Sequence, residues 1–167
     1  MIPTLEWTAE GVRLLDQPAL PARVQYKLCR EASEVAAGIR DMVVRGAPAI
    51  GVAAAMGAAL GAKRARAASV EQLRAEFEQV CAGLRATRPT AVNLAWALDR
   101  MQACFERAAG GGAGVAGVQQ ALEAEALRIH DDDIAINQAL GRHGAALLPQ
   151  RARVLTHCNA GALATAG

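Results

Sequence analysis

Apolar and polar residues alternate over short runs between Thr4 and Arg30. The runs TLEW, VRLL and ARVQYKL are rich in strand-forming residues, and turn-forming residues separate them at 9–11, Pro18 and Pro21. Short alternating runs bounded by turn residues are typical of β-strands. We therefore predict a small antiparallel sheet in this part of the chain.

From Glu31 onward the apolar residues recur at helical spacing. The first helix should end in the loop at 45–48, because glycine permits a left-handed exit and proline has no amide to continue the helix. Pro48 suits the first turn of a second helix, where its fixed φ costs nothing. Three further helices are predicted over 70–85 with Ser69 as N-cap, over 91–108 and over 115–148.

The last residues change pattern once more. The β-branched run Arg153–Cys158 leads through a glycine turn into a helical sequence at 162–167. Strand, turn and helix in this order form the first unit of an α/β sheet. A single such unit has no parallel partner strand, so we expect a first domain over 1–150 and the start of a truncated second domain over 151–167.

Composition narrows the function classes. Of the 167 residues, 53% are hydrophobic but only 3% are aromatic, which predicts a helical core of alanine, leucine and valine. The 18 basic and 16 acidic residues are scattered, which argues against nucleic-acid binding. The most apolar run, 47–62, is shorter than the roughly 20 residues that cross a membrane. Four cysteines without CxxC spacing, and no signal-peptide pattern, indicate reduced thiols in the cytoplasm.

Two loops carry arginine at the start of a predicted helix. Arg45, Gly46 and Ala47 precede Pro48, and Arg88 lies in a Thr-Arg-Pro-Thr loop. A guanidinium beside the positive end of a helix favours a phosphate. The alternative at both places is an exposed loop arginine that binds nothing.

Cys158 stands apart from the other three cysteines. It ends the predicted strand beside a glycine turn, where ligands of α/β sheets usually bind, although a structural thiol would fit as well. His157 should face the other side of the strand, which disfavours a Cys-His pair. We predict no metal site in the run His130 to Asp133, because consecutive helical residues point in different directions.

Four segments resemble the methylthioribose-1-phosphate isomerase family within the initiation factor 2B superfamily. They are RGAPAIG at 45–51, TRPTAVNLAWAL at 87–98, HDDDIAINQALGRHGAALL at 130–148 and LTHCNAGALATAG at 155–167. The resemblance covers essentially the whole chain in the family's order. It implies α+β leading into α/β: a small antiparallel sheet, a helical bundle, then the first strand-turn-helix of a truncated Rossmann-like domain.

The resemblance also implies an activity and a set of roles. The family converts 5-methylthioribose 1-phosphate into 5-methylthioribulose 1-phosphate in methionine salvage, as a cytoplasmic homodimer without a cofactor. By this resemblance Arg45, Gly46 and Ala47 contact the substrate, Arg88 binds its phosphate, and Cys158 is the active-site cysteine. The family's catalytic aspartate and its further glutamine, asparagine and lysine contacts lie in the domain that we expect to be missing. We therefore expect the chain alone to be aggregation-prone and inactive.

Three alternatives remain open from the sequence. A ribose-1,5-bisphosphate isomerase would share the fold, the arginine loops and the cysteine. A regulatory subunit of the initiation factor 2B type would keep the architecture for protein assembly and nucleotide sensing, without need of the thiol at Cys158. A product of a truncated gene would agree with any of these families.

Overall fold

A computed structural model describes residues 2–167 of the chain. The first part is a three-stranded antiparallel sheet with strands β1 (Leu5–Trp7), β2 (Val12–Leu15) and β3 (Tyr26–Cys29). The middle strand β2 pairs with both others, and its apolar side chains are buried against the helices. The predicted antiparallel sheet is confirmed.

Five helices follow the sheet, as predicted. They are α1 (Ala32–Arg40), α2 (Ala47–Arg64), α3 (Val70–Arg85), α4 (Val92–Gly110) and α5 (Val115–Ala145). Helix α3 begins where the sequence predicts, with the Ser69 hydroxyl accepting a hydrogen bond from the Gln72 amide. Helix α1 begins with a reciprocal capping box between Glu31 and Glu34.

Helix α2 forms the centre of the bundle and is buried on almost every side. Its alanines and glycines let the neighbouring helices approach closely. At Gly51 an added Cβ would lie 2.9 Å from the carbonyl oxygen of Asn93, so only glycine admits α4 at this distance. The same apolar run had raised the question of a membrane span, but among residues 2–167 no helix has the length and apolarity to cross one.

The predicted strand Arg153–Cys158 and the helix after it are wrong. Residues 149–161 lie outside any helix or strand, and the Leu155 side chain is 95% exposed. The predicted helix is only a 3₁₀ turn at Ala162–Ala164. A strand needs a partner for its amides and carbonyls, and the described residues contain no sheet beside this run. The division at residue 150 therefore stays a prediction.

Candidate functional site

A cleft of about 740 Å³ opens where α2 and α4 begin and where the carboxyl-terminal segment passes over them. Every residue that the sequence singled out for a site lines this cleft, although they are far apart in the chain: Arg45, Gly46, Ala47, Arg88 and Cys158. Side chains that sequence reasoning missed complete the walls, namely Met42, Ile50, Thr90, Asn93 and Asn159.

The first wall contains the start of α2. Gly46 is the N-cap, with φ of 95° and ψ of 137°, a conformation that favours glycine. No side chain caps the helix, and its first turn carries no acidic residue. The first amides of a helix carry partial positive charge, which remains uncompensated here by any carboxylate of the turn.

The start of α4 repeats this arrangement. The loop before it is closed by the Ala91 amide, which donates to the Arg88 carbonyl at 3.0 Å. Helix α4 also lacks a side-chain cap and an acidic residue in its first turn. Because Gly51 admits Asn93 at close range, the two helix starts lie side by side at the cleft.

Both arginines of the cleft lack acidic partners. Arg45 is exposed and Arg88 half-buried, and within residues 2–167 no carboxylate forms an ion pair with either. By contrast Arg85, a few residues before Arg88, pairs with Asp99 at 2.6 Å. Two unpaired guanidinium groups beside two uncapped helix starts form a site suited to a dianionic group such as a phosphate.

The carboxyl-terminal segment forms the other wall. Cys158 is exposed and has a positive φ of 62°, and the turn after it uses Gly161 with φ of 84°. At Gly46 an added Cβ would lie 2.4 Å from the Ala164 backbone, so the two walls touch at this glycine. His157 is exposed and does not line the cleft. The predicted reason was its place on the opposite face of a strand, but this run is not a strand, so that reason does not apply.

The other cysteines differ from Cys158 in burial. Burial raises the pKa of Cys29 to about 11 and that of Cys81 to about 12, and it also raises the pKa of Cys104. Thiols with such pKa values stay protonated and unreactive near neutral pH. Cys158 is therefore the accessible thiol of the described chain.

The acidic run at the middle of α5 has separate partners. His130 contacts Asp131 at 2.9 Å, Asp132 pairs with Arg100 at 3.0 Å, and Asp133 accepts the Ala166 amide at 2.7 Å. The side chains diverge, as helical geometry requires. Asp132 and Asp133 each hold another part of the chain, the Arg100 side chain on α4 and the Ala166 amide respectively.

The initiation factor 2 subunit family matches residues 43–166, a range that contains all five cleft residues predicted from the sequence. The chain belongs to this family. A protein of Koribacter versatilis (strain Ellin345) named methylthioribose-1-phosphate isomerase is 53% identical over 167 residues, which are 100% of this chain and 47% of that protein. One of the same name from Geobacter metallireducens is 49% identical, covering 98% of this chain and 47% of that protein.

Two solved structures share the fold. The 5-methylthioribose 1-phosphate isomerase of Pyrococcus horikoshii OT3 superposes with a TM-score of 0.92 at 38% identity, covering 99% of this chain and 46% of that one. The translation initiation factor eIF-2B, subunit delta, from A. fulgidus superposes with a TM-score of 0.86 at 37% sequence identity. The match covers 99% of this chain and 47% of that one. The resemblance found in the sequence is confirmed, and the chain spans about half the length of the relatives it matches.

Proposed function

We propose that this chain supplies the phosphate-binding cleft and the active-site thiol of a methylthioribose-1-phosphate isomerase. One observation carries the proposal: Arg45, Gly46, Ala47, Arg88 and Cys158 come from three separate segments and line one cleft. The proposed substrate is taken from the name of the two relatives that are 53% and 49% identical to this chain.

In this proposal the substrate phosphate lies between Arg45 and Arg88, against the first amides of α2 and α4. Guanidinium groups bind phosphate oxygens through paired, charge-assisted hydrogen bonds. The positive ends of two helices add to the attraction. A phosphate held there fixes C1 of the sugar, to which it is attached, near the start of α2.

The reaction is an internal redistribution of hydrogen. The bond between C1 and the ring oxygen breaks, and that oxygen takes a proton. The hydrogen on C2 is transferred to C1, while the C2 hydroxyl loses its proton and becomes a carbonyl. No oxidant or cofactor is consumed. Cys158, which reaches the cleft from the opposite wall, acts in this proposal as a proton-transfer group for one of these steps.

Further parts of the proposal concern the whole protein. We infer that residues 151–167 begin a second, Rossmann-like domain, which would cover the run that is exposed at Leu155. That domain would close the cleft and supply the remaining acid-base groups. We also infer a cytoplasmic homodimer, by analogy with the family.

Two other functions must be distinguished from the proposed isomerase. A ribose-1,5-bisphosphate isomerase would use the same arginines for one phosphate and need a second anion site. An initiation factor subunit, such as the eIF-2B subunit delta named in the A. fulgidus structure, would share the fold, and in this alternative the chain would show no turnover. The exposure of Cys158 and its place in the cleft favour an enzyme over the initiation factor subunit.

The test joins this chain, after Gly167, to the carboxyl-terminal half of the Koribacter versatilis relative. We expect this chimera to isomerise 5-methylthioribose 1-phosphate in preference to ribose 1,5-bisphosphate. Cys158→Ala should lower kcat by about 10²–10⁴-fold, the range typical of an acid-base group. The control Cys104→Ala changes a thiol buried between α4 and α5 and should leave kcat unchanged. A cooperatively folded chimera without turnover, or a Cys158→Ala variant with normal turnover, would refute the proposal.

A further inference from the structure

The segment that carries Cys158 is held only at its far end. Among the described residues, the hydrogen bonds of this segment fall on 161–167, and none involves 149–160. The backbone there returns to the body of the protein, where Ala164 is 4% and Ala166 1% exposed. The position of Cys158 therefore depends on the contacts that hold residues 161–167 in place.

Three side chains from three separate parts of the chain fix residues 161–167. The Thr4 hydroxyl donates to the Ala162 carbonyl at 2.7 Å, and the Gln17 side-chain amide donates to the Leu163 carbonyl at 2.7 Å. The Asp133 carboxylate accepts the Ala166 amide at 2.7 Å. Together these contacts hold the end of the chain against the sheet on one side and α5 on the other.

Two of the three contacts are themselves well fixed. Thr4 is completely buried, immediately before β1, so its hydroxyl has little freedom. Asp133 is held by the Asn137 side chain, whose amide donates to the Asp133 carbonyl at 2.8 Å and to its carboxylate at 3.1 Å. Neither Thr4 nor Asp133 lines the cleft.

We propose that Thr4 and Asp133 are positioning residues that hold Cys158 beside Arg45 and Arg88. They act through the backbone of 161–167 and touch no substrate. The mechanical link is short, because Ala162 lies four residues after Cys158 and two residues before Ala164, which contacts Gly46. The consequence for turnover rests on the proposed function, whereas the consequence for the thiol's surroundings does not.

The first experiment measures the charge around Cys158 in the 167-residue chain, after size-exclusion chromatography has removed any aggregate. Alkylation rates with anionic iodoacetate and neutral iodoacetamide are compared by mass spectrometry of the peptide that carries Cys158. Nearby guanidinium groups attract the anionic reagent. The ratio of the iodoacetate rate to the iodoacetamide rate should therefore be higher for Cys158 than for a free cysteine peptide. Added salt should reduce the ratio. The buried cysteines, with their raised pKa values, should not compete.

The variants then test the tether. Thr4→Val keeps the shape of the side chain and removes its hydroxyl, and Asp133→Ala removes the carboxylate. Both should lower the ratio by at least about threefold, toward the free peptide, because Cys158 moves away from the two arginines. Thr4→Ser and Asp133→Asn keep a hydroxyl or an acceptor oxygen, and they should restore most of the ratio.

The same variants in the chimera separate positioning from binding. We expect kcat to fall at least about tenfold in Thr4→Val and Asp133→Ala, with KM changed less than about twofold, since the phosphate site on the first wall is untouched. Should Thr4→Val fail to fold, Asp133→Ala decides alone, because Asp133 is half-buried whereas Thr4 is completely buried.

The outcomes distinguish the two proposals. A wild-type ratio equal to that of the free peptide would contradict both, because Cys158 would then not lie beside the arginines. A high ratio and a normal kcat that persist in folded Thr4→Val and Asp133→Ala would overturn the tether and leave the cleft intact.

Discussion

The two walls of the cleft are held in different ways. The first wall is made by the starts of α2 and α4, which are fixed by helices packed in the core. The second wall is residues 149–167, of which only Ala162, Leu163 and Ala166 are hydrogen-bonded to the body. A rigid surface binds an anion well, whereas a segment tied at one end adapts to whatever packs on it.

This difference extends to the helix starts. Helices α1 and α3 are capped by their own side chains and carry Glu34 and Glu71 in their first turns. Helices α2 and α4 have neither cap nor acid, and they are the two that face the cleft. The start of α5 also lacks a side-chain cap and an acidic residue, but it lies away from the cleft and has no arginine beside it. Where a start is left open beside an unpaired arginine, we expect a ligand to complete it.

The largest effect on the first wall should come from Arg88→Ala. Loss of a charge-assisted contact to phosphate costs about 1.5–3 kcal/mol, so KM in the chimera should rise about 10- to 100-fold. The matched control is Arg85→Ala, which removes a half-exposed arginine paired with Asp99 outside the cleft. A KM that rises equally in both variants would show a general charge effect and contradict a phosphate site at Arg88.

A smaller effect should follow from Gly46→Ala, which disturbs the contact between the walls. The new Cβ would meet the Ala164 backbone at 2.4 Å and occupy a conformation with φ of 95°. Such strain costs about 1–3 kcal/mol, so the free energy of unfolding should fall by this amount and kcat in the chimera about tenfold. Thermal melting and steady-state kinetics measure the two. Unchanged kcat in this variant would mean that the walls move independently.

Ser69→Ala should have the smallest effect on function, because it removes a cap from a helix start remote from the cleft. The free energy of unfolding should fall by about 1 kcal/mol, as is typical for loss of a hydroxyl cap. KM and kcat in the chimera should stay at the wild-type values. A raised KM in Ser69→Ala would contradict the claim that only the uncapped starts of α2 and α4 take part in substrate binding.

The first wall was predictable from the sequence because its signals are local. Ser69, Pro48 and the glycines mark helix ends by their own conformational preferences, and the apolar period gives the helices between them. Arg45 and Arg88 were recognised by their position before two such helices. That both line one cleft depends on α2 packing against α4 through Gly51 and Asn93, which no local pattern reveals.

The second wall was mispredicted because strands depend on partners. The run Arg153–Cys158 has the composition of a strand, but no strand lies beside it in the described residues, and it stays outside any regular element and exposed. The roles of Thr4 and Asp133 were missed for a related reason. Each bonds to backbone more than thirty residues away, and hydrogen bonds of that kind leave no periodic trace in the sequence.

Protection of Cys158 by substrate tests most directly whether the two walls form one sugar-phosphate site. In the chimera, the rate of Cys158 alkylation by iodoacetamide is measured while the concentration of 5-methylthioribose 1-phosphate is raised. Alkylation should slow with half-maximal protection near KM, and Arg88→Ala should shift that midpoint upward with KM. Alkylation that continues at an unchanged rate under saturating substrate would contradict a site shared by Cys158 and the arginines.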